Sequence, residues 1–275
     1  MSRTSKSGAR TRAADAPANI AERRSDMFKN NKWFLSVPLA VVLAAGMGFA
    51  KAHVTDSQIV AEIQDHLYHA HIYKQGDVRV SFENGVATLT GTVDNLGAKL
   101  DAERAARKAD DVREVVAQVT VHAEDVTPSQ VAEQARKEIV TYPFYTIFDN
   151  VVLKVDGDKL IVSGQVSQPF KKDDIGRFLA HVKGVAELEN DLEVLPTSNY
   201  DDQLRIAIAR AIYGDPYFVH YGNQALPPIH IIVKNGNVTL VGVVNNQVDR
   251  AKAENNARFA ATFFSLTNDL RVERG

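Results

Sequence analysis

The chain has 275 residues, a formal net charge of −2 and no cysteine, which excludes a disulfide framework, a thiolate metal site and a lipid-modified cysteine. The charge is unevenly spread: residues 1–32 hold eight basic side chains against three acidic ones, leaving 24 basic and 31 acidic for the remainder. An acidic body excludes nucleic acid as the expected partner, since phosphate binding needs a basic surface, and excludes an anionic membrane held by bulk charge alone.

Residues 1–32 are polar and basic with no apolar periodicity, and are expected to be disordered. Trp33 to Ala50 is an uncharged apolar run. As a helix it would reach roughly 27 Å, just short of a ~30 Å hydrocarbon core. Its basic flank is expected to stay in the cytoplasm, sending everything after it outward to the periplasm. Ala50-Lys51-Ala52 has the small-x-small spacing of a cleavage site, so residues 33–52 read either as a signal peptide cleaved after Ala52 or, through 33–50, as an inner-membrane anchor. Met27 as the true start would give ordinary signal-peptide proportions.

The body then repeats one αββαβ pattern three times, over residues 55–122, 127–195 and 199–273, joined by linkers at His122–Val126 and Leu195–Asn199. Each copy opens with an amphipathic helix: Ile59, Ile63 and Leu67 lie on one face, as do Val131, Ala135 and Ile139, then Leu204, Ile208 and Ile212. Thr55 with Gln58, and Thr127 with Gln130, have capping-box spacing; the third start, around Ser198 to Asp201, is less well marked. A variable connector leads to an alternating strand (Val78, Val80, Phe82; Val151, Leu153, Val155; Ile229, Ile231, Val233), a glycine turn and a second strand. That second strand carries Gly91, Gly164 or Gly242 in phase with its apolar set, which predicts an inward glycine where a helix approaches the backbone. Second helices are expected over 98–109, 171–182 and 249–260, with Glu103–Arg107 and Glu254–Arg258 as solvated ion pairs four residues apart. A third strand closes each copy. The predicted fold is α+β: three tandem modules, each a three-stranded sheet on two helices, behind an N-terminal hydrophobic helix. Modules of about 70 residues are near the lower limit for a self-sufficient core and are expected to touch.

The order of apolar strand, glycine, apolar strand, second glycine, alanine-rich helix and Asn-x-Leu-x-Val resembles the BON domain, named for bacterial osmotically inducible and nodulation proteins. The closing motif stands as Asn190-Asp191-Leu192-Glu193-Val194 and Asn268-Asp269-Leu270-Arg271-Val272; the first copy departs with Ala117-Gln118-Val119, and has Asp110-Asp111 where a glycine such as Gly184 is usual. The resemblance implies an exported envelope protein tied to osmotic or membrane stress, and in some relatives phospholipid binding through the modules.

No nucleophile elbow, phosphate loop or zinc-protease helix is present, and no Gly-x-x-Gly clamp of a KH-type RNA module, so no enzyme, cofactor or catalytic residue is expected. His66, His69 and Asp65 have metal-ligand types, but the other copies place Glu138 or Ala211 and Thr141 or Gly214 there, so exposed helix-end histidines are the reading and no metal is expected. The connectors are rich in aromatics, suited to core filling or to a membrane or protein surface. The expected contact set for phospholipid or envelope proteins is Phe170, Lys171, Lys172, Tyr145, Tyr217 and Phe218, with rings entering the surface and lysines reaching phosphate. A scaffold joined to a channel or secretion assembly, without lipid affinity, is the alternative, and self-association is compatible with both.

Overall fold

The computed structural model describes residues 55–122 and 126–273; the basic N-terminal region and the apolar segment 33–52 lie outside them. Among the described residues no helix is long and apolar enough to cross a membrane.

Thr55 and Thr127 start their modules for the same reason. In each capping box the threonine side chain accepts from the amide three residues on, and Gln58 or Gln130 reaches back to the threonine amide, so two helix-end donors are satisfied at once. Helix α1 then runs Asp56–His69 and α3 runs Pro128–Thr141. The third start is capped too, because Ser198 accepts from the Asp201 amide at 3.2 Å, and α5 spans Asn199–Tyr213.

Module one continues through β1 (Gly76–Glu83), β2 (Val86–Val93), α2 (Leu96–Ala106) and β3 (Glu114–Val121). Module two repeats this order as β4 (Asn150–Asp156), β5 (Lys159–Val166), α4 (Pro169–Ala180) and β6 (Glu187–Val194). Module three does so as β7 (Ile229–Lys234), β8 (Asn237–Val244), α7 (Gln247–Ala260) and β9 (Ser265–Val272), with an extra short helix α6 (Val219–Gly222) in its connector. In every sheet the second strand is central, antiparallel to the first and parallel to the third. The fully buried Leu89, Leu160 and Leu240 of these central strands meet Ile63, Ala135 and Ile208 of the first helices.

Two expectations need revision. Each second helix begins two residues earlier than its apolar pattern predicts, because Asn95 and Asn246 cap α2 and α7 and Pro169 opens α4. Both α2 and α4 also stop short of the predicted ends, before Asp111 and Gly184 enter the left-handed region (φ 60° and 91°). The strand glycines are not there for a helix. Gly91, Gly164 and Gly242 have φ of 133°, 116° and 129°, and a Cβ on each would collide with the carbonyl oxygen of Asp77, Asn150 or Pro228 on the adjoining strand side. Backbone against backbone forbids a side chain.

Of the expected helix-surface pairs, Glu254–Arg258 is present at 2.7 Å, while in α2 the arginine that pairs is Arg104, with Asp101 at 2.5 Å. The second linker is short in practice: Leu195 is buried and Ser198 already caps α5.

Connector caps and module junctions as the candidate functional site

The parallel strand pairs give an exact alignment of the modules, since Glu114, Glu187 and Ser265 pair with the first residues of their central strands. The residues before each second helix therefore correspond. The amides of Asp94, Ser167 and Asn245 leave the central strand in the same place and need a partner. Each module supplies a different one: the Gln75 carbonyl, the Asp149 carboxylate and the Tyr221 hydroxyl, all at 2.7 Å. Three residues into each helix stand Ala98, Lys171 and Asp249, all buried. So the module fold keeps a buried slot beneath its connector, and modules two and three fill it with charge.

In module two that charge is held by one carboxylate. Asp149 Oδ2 accepts from Lys171 Nζ at 2.7 Å and from the Thr146 amide and hydroxyl at 2.9 Å each. Its Oδ1 accepts from the Ser167 amide and hydroxyl at 2.7 and 2.8 Å. Burial of both charges is tolerated because nearly every lone pair and proton is used. In module three Asp249 accepts from the Tyr217 and Tyr221 hydroxyls at 2.6 and 2.7 Å. Burial works to raise the Asp249 carboxyl, but those hydroxyls and Asn246 outweigh it and hold the group below the usual carboxylate range. Burial likewise pushes the Tyr221 phenol up to about 12.

The expected contact set is thereby divided. Lys171 is only 5% exposed and cannot reach a phosphate, and Phe218 is fully buried in the module-three core; both are structural residues, contrary to expectation. Tyr145 lies half-buried against the His230 ring, with centroids 5.7 Å apart. Tyr217 keeps an exposed edge but its hydroxyl is committed to Asp249. Phe170, 45% exposed and edge-on to exposed Phe144 at 5.5 Å, and half-buried Lys172 also stay at the surface. Tyr68 and Tyr73 of module one are an exposed stacked pair.

The sequence reading missed Asp149, Asp249 and His230. A signal for the first existed: Lys171, Ile175 and Leu179 are spaced by four, which puts the lysine on the buried stripe of α4. Asp249, Ala253 and Ala257 repeat it in α7.

The modules also touch, in two different ways. Module one docks the start of α2 on the end of α4: the Leu96 amide donates to the Val185 carbonyl at 2.8 Å and the Gly184 amide to the Asp94 carbonyl at 2.9 Å. His181 Nε2 meets Asp101 Oδ2 at 2.9 Å, and its ring lies against Gly97, leaving no room for a Cβ. Module two instead uses its connector. The Ile231 amide donates to the Ile147 carbonyl at 2.7 Å, His230 Nδ1 bonds the Asp149 carbonyl at 2.6 Å, and Lys234 pairs with Glu193. This covers the outer edge of β7, a strand in which Ile232 is buried as well as Ile231. Burial holds the His230 ring below its ordinary pKa, against the opposing pull of Asp149.

A cleft of about 530 Å³ beside this second junction is lined by Arg136, Tyr145, Val152, Val241, Asp269 and Arg271, among others. Its lining pairs no nucleophile with a base. His66 and His69 line a separate cleft with Asp101, Arg104 and Lys108, and among the described residues no three His, Asp or Glu side chains converge as a metal would need.

The sequence model of the BON domain matches residues 55–123 and 201–274, the first and third modules. An uncharacterized protein in the gshII 5′ region of Anaplasma centrale is 38% identical over 79 residues, which are 29% of this chain and 51% of that protein. The chain thus spans about half the length of that curated relative. Among solved structures, the C-terminal domain of CdsD, the structural protein of the type III secretion system of Chlamydia trachomatis, aligns at 15% identity over 80% of this chain and all of that one, with a TM-score of 0.24. The periplasmic domain of the type III secretion inner-membrane protein PrgH from S. typhimurium aligns at 12% identity over 77% of this chain and all of that one, with a TM-score of 0.19.

Proposed function

Because the chain belongs to the BON domain family, we propose that it is a non-catalytic protein of the bacterial envelope, working in the periplasm as a scaffold that presents module faces to other proteins. The observation that carries this reading is the use already made of those faces. Both junctions are protein-to-protein contacts closed by backbone hydrogen bonds, and the second is built from the aromatic connector itself. A face that recognises backbone, an imidazole and a carboxylate is chemically equipped for protein partners. The apolar segment 33–50 behind its basic flank supports export. Domain limits at 55–122, 127–195 and 199–273 are part of the proposal.

A second reading, phospholipid contact in support of envelope integrity under osmotic or membrane stress, draws on one observation. Phe144 and Phe170 form an exposed aromatic pair, and exposed rings of this kind suit a headgroup layer. A photo-cross-linking residue at Phe144 of the full chain, activated in living cells, separates the two. Discrete protein adducts are expected; adducts to phospholipid alone would overturn the scaffold reading. A reporter active only in the periplasm, fused after Gly275, is expected to be active, and an inactive fusion would overturn the location.

A further inference from the structure

The aligned modules expose an asymmetry that the scaffold reading alone does not explain. Module two receives module one on a face made by His181, Gly184 and Val185, thirteen to seventeen residues after the α4 cap Gln168. Counted from Asn246, the same places in module three hold Phe259, Thr262 and Phe263, followed at once by Phe264. Among the described residues no other module covers this face, and Phe259 and Phe264 are 86% and 80% exposed, the two most exposed large apolar side chains described. The equivalent face of module one carries Lys108, Asp111 and Val112, the first two exposed, and reads as an ordinary solvated surface. An aromatic pair left in water costs solvation free energy at a position where, one module earlier, the fold makes an interface.

The complementary surface is present on the same chain. Module one docks with Leu96 and Gly97; the corresponding residues of module two are Pro169 and Phe170. Proline has no amide to repeat the Leu96 bond, and the Phe170 ring could not lie where Gly97 admits His181. The start of α4 therefore cannot dock by the backbone mode of module one. It offers the exposed Phe170–Phe144 pair instead, and module three offers the exposed ring of Phe259 in the place of His181, with exposed Phe264 close by. Each departure from the polar junction on one side has an aromatic counterpart on the other.

We propose that the Phe259–Phe264 face of module three binds a second copy of this chain, through the Phe144–Phe170 surface of that copy's module two. The proposal rests on the protein-docking reading above and names its partner. The contact joins two different faces, so every copy keeps one of each free and the assembly propagates as a ring or an open chain.

Because the protein has no cysteine, the periplasm supplies a clean test. Two differently tagged full-length copies are co-expressed, one carrying Phe170→Cys and the other Phe259→Cys, and disulfide-linked pairs are read on non-reducing gels. Phe144→Cys serves as a second probe should Phe170→Cys lower the yield of folded protein. A heterodimer several-fold above that from Phe170→Cys with Lys108→Cys is expected, and a ladder of multimers when both cysteines sit in one chain. Phe259→Cys homodimers in excess of heterodimers, or no disulfide in any combination, overturn the proposal. A photo-cross-linker at Phe259 in the same cells distinguishes the remaining failures. Adducts to a different protein overturn self-assembly and leave the scaffold reading standing, whereas phospholipid adducts overturn both.

Discussion

Replacing Lys171 by methionine tests whether the connector of module two is held by buried charge. Methionine matches the length of the lysine stem and packs on α4, so little volume is lost and no cavity complicates the result. What is lost is the cation 2.7 Å from Asp149 Oδ2, inside a site where the two side chains are 6% and 0% exposed. Asp149 keeps four hydrogen bonds, from Thr146 and Ser167, but its charge stays buried without a counter-ion. Breaking one side of such a pair costs about 3–5 kcal/mol. For a unit of this size that is a loss of roughly 12 °C or more in melting temperature. Loosening of Thr146–Asp149 should also reach the second junction, whose bonds to Ile231 and His230 come from the Ile147 and Asp149 carbonyls. Faster amide exchange at Ile231 is therefore expected alongside the thermal shift. Adding Asp149→Asn to Lys171→Met removes the orphan charge and is expected to recover at least ~1 kcal/mol, the size of coupling seen between contacting groups. A single Lys171→Met variant melting within about 2 °C of the parent, well inside the per-kcal shift for so small a unit, would refute the argument, and a purely membrane-facing lysine would behave in that way.

Other measurements bear on the glycines and junctions. Gly164→Ala places a Cβ against the Asn150 carbonyl at φ 116° and is expected to destabilise module two by about 2–4 kcal/mol in a chemical melt; a neutral result would disprove the backbone-contact explanation. Gly97→Leu drives a side chain into the His181 ring, so module one should undock, seen as a larger radius in X-ray scattering with the circular dichroism of the modules retained. His230 has a folded pKa below its unfolded value, so the unfolded chain binds the extra proton: its contribution to the second junction is present above about pH 6.5 and is lost as pH falls through the folded value. Protection of the Ile231 amide, measured against the intrinsic exchange rate at each pH, should accordingly fall below pH 6.5 in the parent, and His230→Gln should flatten that dependence.

The repeated architecture was legible because the modules are short and locally encoded. Capping boxes at Thr55 and Thr127, helix spacing at Ile59, Ile63 and Leu67, and strand alternation around Leu89, Leu160 and Leu240 act within a few residues of themselves, and the fold obeys them. The contact set was less legible. Phe170-Lys171-Lys172 looks like one surface patch when read along the chain, yet a helix turns about 100° per residue, which sends Lys171 inward while Phe170 and Lys172 stay near water.

The sequence by itself determined the threefold αββαβ pattern, the acidic body, the expectation of export and the positions that must be glycine. Only the tertiary structure decided why those glycines are required, which charges are buried, and which faces remain open. The physical reason is range. Caps, turns and periodicity are set by near neighbours, whereas the partners of Lys171, Asp249 and His230 lie 22, 28–32 and 81 residues away. Such pairs exist only after connectors have folded over helices and modules have met, so no local pattern announces them. The same holds for Phe259 and Phe264, which were unremarkable in the sequence until the docking of module one on His181 showed what that face does elsewhere in the chain.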